Sequence, residues 1–314
     1  MKITTLLSLS LLSLSLVACG TQTHLRQEAA SRIAIPAFMV ERDLQTGSFN
    51  LNVWERMHRR GQPMTVYIEG DGSNITQKAV KNPTPANPLA LHLASRDLSK
   101  NVVYIARPCQ FMKFPEDKGC RADYWQERRF SPEVIESYQT ALNEISARYG
   151  TSGIHLVGYD GGANIAAILA GTRDDVLSLR TIAGNLNPAV NQTMVLSSDS
   201  LSAINYADKL ATVPQYHFVG AADEVITPAY YHSYRQSIGQ SECIHYALIQ
   251  DADHTHGWVE KWPELLKLEP QCATVHTDLP PLPTSDYGDY YKGTNYNKGL
   301  TDYNKGFTEP RYSK

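Results

Sequence analysis

Four short stretches of this chain carry residue types able to do acid–base or nucleophilic chemistry. The first is VGYDGGANIA, Val157 to Ala166, where an apolar run enters a glycine-flanked turn and leaves as a helix-forming pattern. Asp160 sits at the centre of the turn, at the point where a nucleophile would be raised. Such a sharp strand-to-helix turn needs glycines beside the raised residue, because a β-carbon there would clash. It also aims backbone N–H groups at whatever the central residue binds. A dinucleotide-binding turn would need G-x-G-x-x-G, and Asp160 stands where the second glycine belongs. The second stretch, GAADEVITP, puts Asp223 just past a strand end, where catalytic groups collect in open α/β sheets. The third, DHTHGW, offers His254 or His256 after the last strand, within reach of an acid and the turn. The fourth comes earlier: Glu69-Gly70-Asp71-Gly72 ends a strand, and its N–H groups can face a developing oxyanion with Gly161 as second donor. Asp71 can equally be a turn acid whose backbone alone matters. Each piece is weak alone; turn, acid and histidine in that order, each at a strand end, are much stronger.

The elements that must position these groups alternate. "AFMVERD" and "SFNLNVWER" around Thr46-Gly47 predict a hairpin. "MTVYIEGDG", "NVVYIARP", "GIHLVGY", "VLSLRTIAG", "VPQYHFVGAAD" and "CIHYALIQ" read as strands. Helices are expected around 89–98, from Ser131-Pro132-Glu133 to a stop at Gly150, over 162–170, around 228–237 and around 258–268. Asn185 to Lys209 is irregular and polar, an insertion over the sheet edge. This alternation predicts an α/β fold with a mainly parallel central sheet, helices on both faces and an antiparallel N-terminal hairpin.

The ends differ from this body. Lys2 and the Leu/Ser-rich run Ile3–Val17 read as a signal peptide, residues 1–18, too short to span a membrane. The boundary Leu16-Val17-Ala18-Cys19-Gly20 resembles a bacterial lipobox, which would make Cys19 a lipidated first residue anchoring an exported domain in the bacterial cell envelope. Residues 19–34 read as a polar tether, 35–273 as the folded domain, and 274–314 as a disordered Tyr/Asn/Gly-rich tail with few aliphatic residues. Without Cys19, four of the five cysteines remain. Cys109 with Cys120 and Cys243 with Cys272 are the preferred of three possible pairings in an oxidising compartment. No cysteine pair has zinc-like C-x-x-C spacing, and no metal or cofactor is expected. The 29 Lys and Arg against 32 Asp and Glu form no basic cluster, which disfavours nucleic acid as a partner.

The stretches "VYIEGDG", "NPTPANPLALHLA", "VVYIARPCQ", "RRFSPEVI", "HLVGYDGGA", "IAGNLNP", "PQYHFVGAADEVITP" and "DADHTHGWVEKW" resemble the α/β-hydrolase superfamily. More narrowly, they are similar to poorly characterised bacterial lipoprotein hydrolases. The resemblance covers about residues 38 to 265. It implies an α/β-hydrolase fold and esterase-like action on a small-molecule substrate. It also implies His254 as base, with His256 kept open, Asp223 as its orienting acid, and a serine where this chain has Asp160. Three readings of Asp160 follow. It is a carboxylate nucleophile for alkyl substrates, as in haloalkane dehalogenases and epoxide hydrolases, whose H-D-W and H-G-x-P patterns this chain lacks. It replaces a lost serine and leaves the site impaired. Or it caps the following helix in a non-catalytic envelope binding module.

Overall fold

The computed structural model describes residues 24–72, 82–112, 119–190 and 194–273. The expected signal peptide 1–18, Cys19 and the expected tail 274–314 lie outside the described residues. Eight strands form one sheet: β1 (Val40–Gln45), β2 (Asn50–Met57), β3 (Met64–Ile68), β4 (Asn101–Ile105), β5 (Ile154–Tyr159), β6 (Val176–Ile182), β7 (Gln215–Gly220) and β8 (Ile244–Ile249). Their spatial order is β1-β2-β4-β3-β5-β6-β7-β8. β1 pairs antiparallel with β2, and β2 antiparallel with β4; every other pairing is parallel. The predicted hairpin is thus the antiparallel edge of a parallel sheet. The order reverses around β3 and β4, so the C-terminal ends of β3, β5 and β7 open on one edge, where such sheets hold their sites.

The central strands β3 and β4 are buried along their whole length, which is why they read as unbroken apolar runs. Alternate residues feed two cores. On one face Val66, Ile68, Val103 and Ile105 meet α3 (Pro132–Tyr149) and α4 (Gly161–Thr172). On the other, Tyr67, Val102 and Tyr104 meet α2 (Leu89–Arg96), Trp258 and Trp262. α3 begins with Pro132 and Glu133 in its first turn and ends at Gly150 in the left-handed conformation, as expected. α6 (Pro228–Ile238) also follows its prediction.

Three expectations differ from what is observed. Residues 24–34, read as tether, are helical; we label this segment α1. Its Ala30 and Ala34 are fully buried against the second core, so small residues at helical spacing let it dock closely. The 185–209 stretch, expected to be irregular, has a helical turn at Ala203–Tyr206, and it meets α4 there: the Asn164 side chain donates to Leu201 O at 3.2 Å and accepts from Ala203 N–H at 2.8 Å. The last helix is short, α7 (Trp262–Leu265), because Gly257 at positive φ holds the chain from 251 to 258 as a turn. A four-residue helix, α5 (Ala207–Leu210), precedes β7. Both disulfides, Cys109–Cys120 and Cys243–Cys272, are formed.

Candidate active site

Asp160 follows β5 and precedes α4 with φ 50° and ψ −123°. A non-glycine residue there costs of order 1–3 kcal/mol and persists only where its surroundings over-determine it. Here its N–H donates to Ile182 O at 3.1 Å, and its carbonyl accepts from Ala163 and Asn185 N–H, both at 3.0 Å. The neighbouring glycine is obligatory: a Cβ on Gly161 would collide with the Asp71 carboxylate. The elbow therefore lifts the Asp160 side chain toward the end of β3. Its Oδ2 accepts the Asp71 N–H at 3.0 Å, and the Gly161 N–H also bonds the carboxylate. The side chain makes no capping bond inside α4, so the helix-cap reading fails on geometry. Gly72 shapes the β3 turn: at φ 87° it lets Pro83 O and the Gln110 side chain approach where a Cβ would clash.

The two histidines differ in their partners. His254 Nδ1 lies 3.1 Å from Asp223 Oδ2, and the Asp223 side chain is fully buried. The other Asp223 oxygen accepts from Val225 N–H at 2.9 Å and Ile226 N–H at 2.8 Å, so the acid is fixed by its own turn. With Nδ1–H donating to Asp223, Nε2 faces Asp160 Oδ1 at 3.8 Å. His256 points to solvent and pairs with Asp253. The Tyr159 hydroxyl donates to His254 O at 3.1 Å and ties the histidine loop to the elbow strand. Trp258 supports the same loop through Asp253 O at 2.8 Å.

The electrostatics are crowded with carboxylates. Burial pushes the Asp160 carboxyl up and the Asp71 charge adds to it; His254 and the two N–H donors pull the other way without prevailing. Burial alone would lower His254, but the bond to Asp223 and the charge of Asp160 outweigh it and hold the imidazole above its ordinary value. Asp71 is held below the usual range despite burial, because Arg107 and Arg129 grip it. Arg107 bonds one carboxylate oxygen and also donates to Arg129 O at 2.7 Å; Arg129 Nη1 lies 3.1 Å from the other oxygen. Both guanidiniums are buried.

Sequence reasoning left Arg107, Arg129 and Glu69 without a role. Arg107 stood at a strand end, the one available signal; Arg129 lay in a loop that gave none. Glu69 is fully buried behind the elbow. Burial lifts it to about 7 against bonds from Gly70 N–H, Ala90 N–H and the Tyr104 hydroxyl, with Asp160 adding repulsion.

These groups can position an acyl carbonyl or an alkyl carbon beside a carboxylate, two N–H donors and an Asp-oriented imidazole. Among the described residues no His/Cys/Asp/Glu group could hold a metal ion. No protein-family model matches the sequence, and no curated protein matches it. Solved structures do. An α/β serine hydrolase homologue from Coxiella burnetii aligns at TM-score 0.51 with 15% identity over 72% of this chain and 95% of its own. A putative α/β hydrolase of unknown function from Agrobacterium tumefaciens aligns at 0.52 with 14% identity, over 73% and 94%. The acylaminoacyl peptidase of Pyrococcus horikoshii aligns at 0.52 with 12% identity over 73% of this chain and 41% of its own. At such identities the likeness speaks to the fold, and the fold of this chain is that of the α/β-hydrolases.

Proposed function

We propose that this chain is an exported hydrolase-fold protein, anchored at Cys19 and built on a serine-esterase plan, in which Asp160 silences acyl-ester chemistry. The observation that carries this is the seat of the Asp160 carboxylate. Its Oδ2 accepts the Asp71 N–H and the Gly161 N–H also bonds the carboxylate, so the two backbone donors that would serve a tetrahedral oxyanion are engaged. Its charge lies 3.8 Å from His254 Nε2 and favours the imidazolium, which cannot accept a proton from a nucleophile. This plan thus has its acid, base and donors arranged, but the donors are engaged, and the Asp223 bond and the Asp160 charge hold the base above its ordinary pKa. Attack by the carboxylate itself on an acyl carbon would give a reactive anhydride.

A second reading keeps one specific observation in its favour. With Oδ2 held by the Asp71 N–H, Oδ1 is the oxygen turned toward His254 and would be the attacking atom of a carboxylate nucleophile. Attack on an sp³ carbon would form an alkyl ester and expel the leaving group. The ester is neutral, so His254 would then lose one of its two anionic neighbours and could activate water. Against it, Gly161 stands where the dehalogenases carry a tryptophan that helps hold the halide.

The test is a substrate panel with the natural chain. Silenced-esterase chemistry predicts no turnover of short acyl esters, haloalkanes or epoxides, and esterase activity on Asp160→Ser. Turnover of an alkyl substrate with a covalent adduct on Asp160, read by mass spectrometry, would overturn silencing and establish the carboxylate mechanism. Inactivity of the natural and serine forms alike would point to a binding module.

A further inference from the structure

The surface carries an apolar feature with no part in the site. Along α1, Leu25, Glu28, Arg32 and Ile35 follow one another at three- and four-residue spacing, so they share one stripe. Leu25 and Ile35 are both exposed, and a shallow hollow between them is lined by Glu28, Ser31, Arg32, Ile35 and Pro36. The opposite stripe, with Ala30 and Ala34, is docked on the core, so the helix is fixed in its roll, and Leu25 and Ile35, with the Glu28–Arg32 pair between them, must face outward. Beyond its end, Phe38 is 78% exposed and sits at φ 59°. A bulky residue in the left-handed region is uncommon, and glycine or asparagine would fit there without cost. Val40 follows, also exposed. Arg56 then joins a second segment to this one: its guanidinium donates to Ala37 O and to Asp97 O, so the residues that follow these two carbonyls, Phe38 and Leu98, 90% exposed, leave from one shared anchor. Leu25 and Ile35 on the stripe, Phe38 and Val40 just after it and Leu98 across the Arg56 link are thus five large exposed apolar side chains tied to one stretch of the chain. Scattered single apolar residues are ordinary; a gathered group marks a contact surface.

The length of chain between this patch and Cys19 says what covers it. Cys19 stands five residues before His24, the first residue of α1 described, and five residues span at most about 18 Å. α1 itself is about 16 Å long. An acylated Cys19 therefore holds the leading end of α1 near the bilayer, and the helix lies either along the membrane or away from it. Only the first arrangement covers the exposed side chains. Arg32 within the stripe lies 3.5 Å from Glu28 and places a cationic group at headgroup level.

We propose that Leu25, Ile35, Phe38, Val40 and Leu98 form a membrane-contacting face that lays the domain along the lipid bilayer. It rests on the reading of Cys19 as an acylated anchor. The arrangement also orients the site, because Arg26 at the anchored end of α1 donates to Thr84 O, and the neighbouring Pro83 O packs on the oxyanion turn at Gly72. The site edge is thereby tied to the end of the domain nearest the anchor.

The experiment uses the full lipidated chain in vesicles of phosphatidylethanolamine and phosphatidylglycerol, with and without brominated acyl chains. Phe38→Trp introduces an indole on the patch. Asp174→Trp places one on a fully exposed site across the sheet, beside α4, as a control. Bromolipid is expected to quench the added fluorescence at position 38 at least about twofold, as for a side chain at the headgroup–acyl boundary, and to leave position 174 unchanged. Quenching should vanish when Ile35→Asp and Leu98→Asp are added. Mass spectrometry of the N-terminal peptide tests the premise separately: an unacylated Cys19 overturns the anchor and this proposal together. An acylated Cys19 with no quenching at position 38 refutes the membrane face alone. Exchange protection of residues 35–40 that rises with protein concentration in detergent would assign the patch to a second copy and also refute it.

Discussion

Replacing Asp160 with serine removes one carboxylate from the most crowded point of the site. In the natural chain an incoming acyl oxygen must displace Oδ2 from the Asp71 N–H, bonded at 3.0 Å, and a charged hydrogen bond is worth about 1.5–3 kcal/mol. The attraction between the Asp160 carboxylate and an imidazolium at 3.8 Å is about 4 kcal/mol at an effective dielectric of about 20, and it moves the His254 pKa upward. Serine abolishes both effects, moves His254 downward in pKa and supplies the hydroxyl. One oxyanion donor is worth roughly 10²–10³ in kcat, and a full triad more. Asp160→Ser should therefore raise kcat on p-nitrophenyl acetate and butyrate at pH 8 by at least about 10³-fold over the natural chain. Adding His254→Ala should remove essentially all of the gain, because the members of a triad act as a unit. A folded serine variant no faster than the natural chain over acyl lengths from two to eight carbons would refute the reasoning. So would a gain that survives His254→Ala.

Glu69 gives a pH signature. Its folded pKa of about 7 exceeds the ordinary carboxylate value of 4.5, so the folded state binds the proton more tightly. That stabilisation is complete below about pH 4.5 and lost as pH rises to about 7, on the order of 3 kcal/mol in all. Glu69→Gln should flatten the pH dependence of urea unfolding across that window, and an unchanged slope would contradict the assignment. Arg107→Leu leaves the buried Asp71 with one cation instead of two and should cost about 3–5 kcal/mol in the same assay, whereas Arg121→Leu, exposed, should cost under about 1 kcal/mol. Reducing the disulfides should lower Tm, with loops of 11 and 29 residues worth about 3 and about 4 kcal/mol by chain entropy. Selective removal of Cys243–Cys272 should cost at least as much as removal of Cys109–Cys120.

The sheet was legible because its central strands are buried on both faces and its helices are periodic. The unbroken runs of β3 and β4 and the apolar stripe of α3 admit one assignment each. The elbow was legible because few turns demand glycines on both sides of an acid. What failed to show was set by long-range packing. Nothing in "HLRQEAASRIAI" distinguishes a docked helix from a tether until Ala30 and Ala34 meet the second core. Arg107 and Arg129 are 22 residues apart in sequence, and only the fold brings both to Asp71. The Asp160 side chain was the hardest case. Its type allowed nucleophile, blocker or cap, and only the direction of its two oxygens separates a helix cap from the other two.

The central claim is that residue 160 stands at a nucleophile position served by His254 and the β3 donors. A fluorophosphonate probe tests this most directly, because it reacts with an activated hydroxyl and leaves a stable phosphonyl ester. The account predicts one adduct per chain on position 160 of Asp160→Ser, lost with His254→Ala and absent from the natural protein. No adduct on the folded serine variant, or one at any other position, would contradict it.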